Sequence, residues 1–486
     1  MKKIALAILG LSCASTFACT TIIVGKNASA DGSILVGRNV DAGHGNHPVH
    51  YIKHAARSDA FTFQSVENKF TYAMPAGSMA YTGMPDFDGK NQSYEEQGFN
   101  SAGVTMSATE TIFSSDAALK ADPYVDNTGI TESEVTSILL PQIKSARQGV
   151  EMLGKIIETQ GAGEGFGIAF ADQNEVWYLE NAGGHRWVAV RIPDDMYFVS
   201  ANQGRIREVD LKDTQNVMGS KDLVDFAVQH GLATARADGK IDFFAAYTAN
   251  VKSDAFYNYN RVWTLQNMYT PSFKSTSYVD GVAPVFMKPD HKLSLNDVEA
   301  GLQNYYQGTA NDPYSTLNAK PTYRPISVFR AQQSHVLATR TGLPMSIANV
   351  QYQELGMAAL GIYVPFYQGS QIPAEYGMGT DKADSQSAWW KFHKLQALVM
   401  QNFPKYAPAV QAGYAQLNAD IQKQQAAFEQ SYVKVYASNK KKAQKMLDDF
   451  TKSVVDQVDQ ETELLTNGVF TQLSIDVNNQ YYFHGA

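Results

Sequence analysis

The residues best placed to do chemistry lie near the start of the chain. Cys19 follows Thr16-Phe17-Ala18, and Arg38 and Asp41 come after it, beyond a short β-branched, turn-rich stretch. Upstream, Lys2-Lys3, the apolar run from Ile4 to Leu11 and the small residues Thr16 and Ala18 have the form of a signal peptide. That run is too short to remain in a bilayer as a spanning helix. Cleavage after Ala18 is expected to make Cys19 the first residue of the mature chain. The chain has two cysteines, and Cys13 would leave with the leader. Cys19 would then have no internal disulfide partner, which in an exported protein flags a reactive thiol or an intermolecular link.

A first-residue cysteine has two fates. It can be lipidated, which consumes the thiol, although Thr16 and Phe17 fit a lipoprotein signal poorly. It can instead act as a nucleophile. A thiol attacks as the thiolate and needs a base and a positive neighbourhood. An N-terminal residue carries its own base, an α-amine that titrates near pH ~8. The signal region alone leaves both fates open; the residues that follow favour catalysis. Thr20 to Val24 predicts a strand, Lys26 to Gly32 a turn, and Ile34 to Val36 a second strand. A hairpin centred near Ser29 pairs residues whose numbers sum to about 58 and sets Cys19 opposite Asn39. Thiol, amine, guanidinium and carboxylate then gather at one hairpin end. Arg38 would favour the thiolate, and Asp41 would orient the amine or the substrate.

The elements that must hold this end are strands and helices in alternation. Further strands are predicted at Gly103 to Ala108, Gly165 to Ala171, Val176 to Glu180, Arg186 to Arg191 and Tyr197 to Ala201. Thr131 with Glu134 forms a capping box ahead of an apolar run. Gly149 to Thr159, Asp222 to Gln229 and Leu295 to Tyr306 also read as helical. Runs of antiparallel strands with intervening helices predict layered α+β packing. From Ser387 the chain becomes rich in Gln and Ala. Ser387 to Met400, Pro408 to Tyr436 and Asn439 to Leu465 predict long helices with polar faces. The expected division is a leader at 1–18, a catalytic domain at 19–386 and a helical extension at 387–486 packed on the core.

The formal charge is −8, and loss of Lys2 and Lys3 would take it to −10. An acidic chain is a poor partner for nucleic acid, whose phosphates need clustered Lys and Arg. The one basic run, Lys440 to Lys442, reads as a solvated helix face. No later stretch is long and apolar enough for a membrane span. His44, His47, His50 and His54 cluster, but not in a helical His-Glu-x-x-His pattern, and no acid-rich ligand segment accompanies them, so no metal is expected. The Gly-rich segment Gly161 to Gly165 precedes a strand instead of joining strand to helix, so it does not read as a nucleotide loop.

Cys-Thr-Thr-Ile-Ile-Val-Gly at 19–25, Asp31-Gly32-Ser33 and Gly37-Arg38-Asn39-Val40-Asp41 resemble the opening of the cysteine dipeptidases of the dipeptidase A family. These are N-terminal-nucleophile hydrolases related to bile-salt hydrolase and penicillin V acylase. The resemblance continues at Gly98 to Asn100, Gly103 to Glu110, Val199 to Gln203, Asn260 to Trp263, Tyr363 to Tyr367 and Ser387 to Trp390. It implies a four-layer αββα sandwich without a cofactor and cleavage of small peptides. Cys19 would be the nucleophile and Asn202 an oxyanion donor. A backbone N–H near Thr109 or Glu110 would be the second donor. Arg261 would support the network of Cys19 and Asp41. Asp41 or Glu110 would take the substrate's ammonium.

Two alternatives of other classes stand beside a dipeptidase: an N-acyl amide hydrolase using the same nucleophile, and a non-catalytic lipoprotein anchored at Cys19. Export to the periplasm or beyond is expected, and homo-oligomerisation is left open.

Overall fold

The computed structural model describes residues 19–41, 45–87, 92–93, 95–274, 283–317 and 319–482. The expected leader and His44 lie outside them. The chain opens with β1 (Thr20–Val24) and β2 (Ile34–Asp41), followed by β3 (Gln97–Phe99), β4 (Thr105–Thr111), α1 (Glu132–Leu139) and α2 (Ala146–Gln160). Then come β5 (Phe166–Ala171), β6 (Val176–Ala182), β7 (Arg186–Arg191), β8 (Tyr197–Ser200), β9 (Val217–Gly219), α3 (Tyr259–Tyr269), β10 (Phe286–Met287) and α4 (Leu295–Leu302). Strands β11 (Ala331–Thr339), β12 (Asn349–Leu355) and β13 (Val364–Tyr367) precede the long helices α5 (Ala388–Val399), α6 (Phe403–Ser438) and α7 (Lys440–Gln480). The last helix runs fifteen residues beyond the Leu465 expected from its sequence.

The fold is mixed α+β. One antiparallel sheet has the order β10-β8-β1-β2-β11-β12-β13, and the other β9-β7-β6-β5-β4-β3. Side chains alternate across β1 and β2. Ile23 and Val36 face the second sheet and pack with Ala169, Tyr178 and Val188. Ile22 and Leu35 face the other way, onto Val262 and Leu265 of α3, Val298 and Leu302 of α4, and Tyr432 and Leu447 of the long helices. The outer face of the second sheet, with Ile168, Phe170 and Trp177, is covered by Val135 and Ile138 of α1 and Val150 and Leu153 of α2. Every residue of β1 is buried because both of its faces are covered.

The β1–β2 register differs from the expected one by one residue: Thr20 pairs with Asn39 and Thr21 with Arg38. The turn explains the shift. Asp31 Oδ1 accepts from the Ser33 N–H at 3.0 Å and from its hydroxyl at 2.6 Å, and Gly32 takes φ +81°, so the turn closes later than a centre at Ser29 implies. A one-residue slip exchanges the two faces of a strand. In the observed register Arg38 shares a face with Thr21 and therefore with Cys19, diagonally across the ladder. In the expected register it would have pointed the other way.

Helix α4 supports this ladder from below. Leu302 O accepts a 2.9 Å hydrogen bond from Asn39 Nδ2. A side chain at Gly301 would overlap the Tyr269 hydroxyl and come within 2.9 Å of Ile22 Cδ1. Gly301→Val should therefore destabilise the protein by about 1–3 kcal/mol, seen as a lower unfolding midpoint in denaturant. An unchanged midpoint would mean that α4 does not set the seat of β1.

Candidate active site

Cys19 is fully buried at the end of β1. Arg38 Nη2 lies 2.9 Å from its Sγ. The same guanidinium donates to Glu96 Oε2 at 2.5 Å and to Glu132 Oε1 at 3.2 Å. Glu96 comes from the segment leading into β3, and Glu132 is the first residue of α1, which the Thr131–Glu134 capping box starts. Both carboxylates are buried. A buried guanidinium is tolerated only when its charge is compensated, and here the sulfur of Cys19 and the carboxyl groups of Glu96 and Glu132 surround it and share that task. Burial opposes the charge on Arg38, yet Cys19, Glu96 and Glu132 hold it more firmly protonated than an ordinary arginine. Burial pushes Glu96 up to about 8, against the pull of Arg38 and with that of Glu132. Behind Arg38, His335 of β11 bonds to Ser107 at 3.1 Å; burial and then Arg38 keep its pKa well below the usual histidine range.

On the opposite face of β1, Arg261 of α3 binds Cys19 and Thr20. Its Nη1 donates to Cys19 O at 2.5 Å and to Thr20 Oγ1 at 2.8 Å. Its Nη2 donates to Asn202 Oδ1 at 2.9 Å and to Asn258 Oδ1 at 2.8 Å. Because Arg261 occupies the Asn202 oxygen, the amide nitrogen is the end left to donate elsewhere. That nitrogen lies 3.4 Å from Thr111 O of β4.

Asp41 is paired with Arg324. Arg38 and Asp41 thus leave β2 in different directions, each to its own ion pair. Asp41 Oδ1 is buried and has no hydrogen-bond partner among the described residues. Burial and then the neighbouring Arg330 push Arg324 down to about 9, with Cys19 pulling the other way.

The structure therefore gathers Cys19, Arg38, Asp41, Asn202 and Arg261 around one strand end. Thr109 and Glu110 lie on β4; their side chains are outside the described parts. The β4–β5 ladder pairs Ala108 with Ile168 and Glu110 with Gly167, so Thr109 is the bulged residue. Glu96, Glu132, Asn258 and Arg324 were not singled out from the sequence. Only Glu132 had a local signal, as an acid inside the capping box. Of the clustered histidines, His50 Nε2 donates to Gly379 O at 2.8 Å, and His54 stacks on Tyr81 and contacts Glu95. Among the described residues no three His, Cys, Asp or Glu side chains form a metal-binding group. No described helix is long and apolar enough to cross a membrane.

A family model described as "Peptidase family C69" matches residues 18–416. The chain belongs to peptidase family C69. This bears out the resemblance to the dipeptidase A family and makes the protein a cysteine-type dipeptidase by class. It is 48% identical over 384 residues to a probable dipeptidase of Salmonella dublin, covering 79% of this chain and 88% of that one. It is 34% identical over 427 residues to a probable dipeptidase of Latilactobacillus sakei, covering 87% of each. Among solved structures, penicillin V acylase from Agrobacterium tumefaciens matches with a TM-score of 0.33 and 14% identity, over 72% of this C69 chain and 86% of the acylase.

The raised Glu96 gives a pH signature. The folded C69 protein binds that proton more tightly than the unfolded chain does. The resulting stabilisation is complete below about pH 4.5 and is lost as pH rises through about 8. Glu96→Gln removes the titration, so between about pH 5 and about pH 8 its unfolding midpoint should fall less than that of the wild type. Parallel falls would place the titration on another group.

Proposed function

We propose that the protein is an exported dipeptidase that works through Cys19 as an N-terminal nucleophile, made available by removal of residues 1–18. The 2.9 Å contact of Cys19 Sγ with Arg38 carries this reading, because a fixed guanidinium favours the thiolate over the thiol. The helix–sheet–sheet–helix layering supports assignment to the αββα sandwich of N-terminal-nucleophile hydrolases, with the helices from residue 387 onward as an extension.

In the proposed reaction the Cys19 sulfur attacks the carbonyl carbon of the peptide bond while its α-amine takes the thiol proton. The tetrahedral oxyanion is held by Asn202 Nδ2 and by a backbone N–H at the Thr109 bulge, where the ladder provides no partner strand residue. Breakdown expels the second amino acid's amine, which leaves with the proton from the α-ammonium. The first amino acid stays as a thioester. A water molecule that gives its proton to the same amine then hydrolyses it and restores the thiol. Arg261 acts through its bonds to Cys19 O and Asn202 Oδ1, fixing both against each other. The unoccupied oxygen of Asp41 suits an ammonium, either that of mature Cys19 or that of the substrate.

Two outcomes test this. A chain beginning at Cys19 should release amino acids from unblocked dipeptides, and one retaining Ala18 should be inactive. Equal activity of the two would remove the α-amine from the mechanism, and turnover of N-acylated substrates alone would make the enzyme an amide hydrolase of another class. Asn202→Ala should lower kcat by about 10²–10³, with the Cys19 chain otherwise folded by circular dichroism. A smaller loss would deny Asn202 the oxyanion role.

A further inference from the structure

A cavity of about 430 Å³ lies between α4, the turn Ala358–Leu360 and α6. None of Cys19, Arg38, Asp41, Asn202 and Arg261 lines it. Its wall combines one acid, Glu299 of α4, with six side-chain amides and three tyrosines, and holds no Lys or Arg among the described residues. Glu299 is only 3% exposed. Asn418 Nδ2 of α6, also in the wall, donates to its Oε2 at 3.0 Å. Its Oε1 is buried and has no hydrogen-bond partner among the described residues. A second carboxyl stands just behind the wall. Gly361 lines the cavity, and a Cβ there would overlap the carboxyl of Glu354. Glu354 Oε1 accepts from Gln396 Nε2 at 3.4 Å, while its buried Oε2 has no partner among the described residues.

We propose that this cavity binds a small organic ammonium compound, whose charged nitrogen pairs with Glu299 and whose polar body meets the side-chain amides of α4 and α6. A buried acid with an unanswered oxygen is costly, and neither helix supplies the missing donor. An ammonium has donors and no acceptor, which complements a carboxylate with an open oxygen. An anion would find no cation in the wall. The volume lies in the range of small-molecule sites and far exceeds a bare metal ion. Side-chain amides both donate and accept, so they suit the polar remainder of such a molecule. Burial pushes Glu299 up to about 8, with the Asn418 hydrogen bond acting against it. Tyr352, Tyr363 and Glu354 are the titratable groups nearby, and no cation acts on Glu299. Below about pH 8 the ammonium must therefore displace a proton to gain its partner.

The test is calorimetric titration of the chain that begins at Cys19 with butylammonium chloride, in buffers of different ionisation heat, with butanol as the neutral control. Butylammonium should bind saturably and release up to about one proton at pH 6.5, so that its affinity rises about tenfold per pH unit up to about 8. Butanol should bind at least about 10-fold more weakly. Glu299→Gln should weaken butylammonium at least about 10-fold and abolish the proton release. Ala415 is exposed at the rim of the cavity, so Ala415→Trp should block binding while Glu299 stays in place. That variant and the wild-type proton release decide the matter even if Glu299→Gln does not fold. No saturable binding, equal binding of butanol, or binding that survives Ala415→Trp, as it would at an ammonium site beside Asp41, would overturn the proposal.

Discussion

One guanidinium organises the site. Arg38 meets the sulfur of Cys19 and two buried carboxylates at once, and none of the four groups would be stable there alone. Removing a charged side chain from water costs several kcal/mol, and the cost is offset only where charges are shared. The protein spreads the compensation over three elements that are distant in sequence: the segment before β3, the first turn of α1 and the open end of β1. Any of them displaced would leave a buried charge unbalanced. The arrangement makes reactivity and local structure one problem, since the cation that favours the thiolate also joins the two sheets.

The geometry behind this contact is set by the strand ladder. Arg38 reaches Cys19 because Thr21, not Thr20, is its partner across the ladder. Asp41, three residues on, is thereby directed to the helix-facing side, where Arg324 meets it. Cys19 is thus flanked by two separate electrostatic environments. One contains an arginine between acids; the other contains arginines around Tyr257.

Much of the site could be read from the chain, and the gaps have physical causes. Cys19, Arg38 and Asp41 stand close together in a β-branched hairpin, so spacing alone gathered them. Asn202 and Arg261 emerged only through a resemblance, because an asparagine after a strand or an arginine in a helix carries no chemical signal of its own. Glu96, Arg324 and Asn258 had neither. Their roles arise from long-range packing that no local pattern encodes. Strands β11 and β12 were missed for a related reason. They are central and fully buried, yet carry Gln333, Ser334, His335, Gln351, Gln353 and Glu354. Side-chain amides satisfy one another there, with Gln97 Nε2 to Gln333 Oε1 at 2.8 Å and Gln353 Nε2 to Gln333 Oε1 at 2.8 Å. Such strands lack the alternation of apolar and polar residues by which a half-buried strand is recognised.

The most direct test of a thiolate held by Arg38 is the pH dependence of Cys19 alkylation by iodoacetamide, followed by intact mass alongside dipeptide hydrolysis. In a chain that begins at Cys19 this is the single cysteine, so the mass shift has one origin. Labelling of one thiol per chain should extinguish hydrolysis in step, and Arg38→Gln should move the labelling midpoint to higher pH. Hydrolysis that survives complete labelling, or a midpoint indifferent to Arg38, would contradict the central role of this pair.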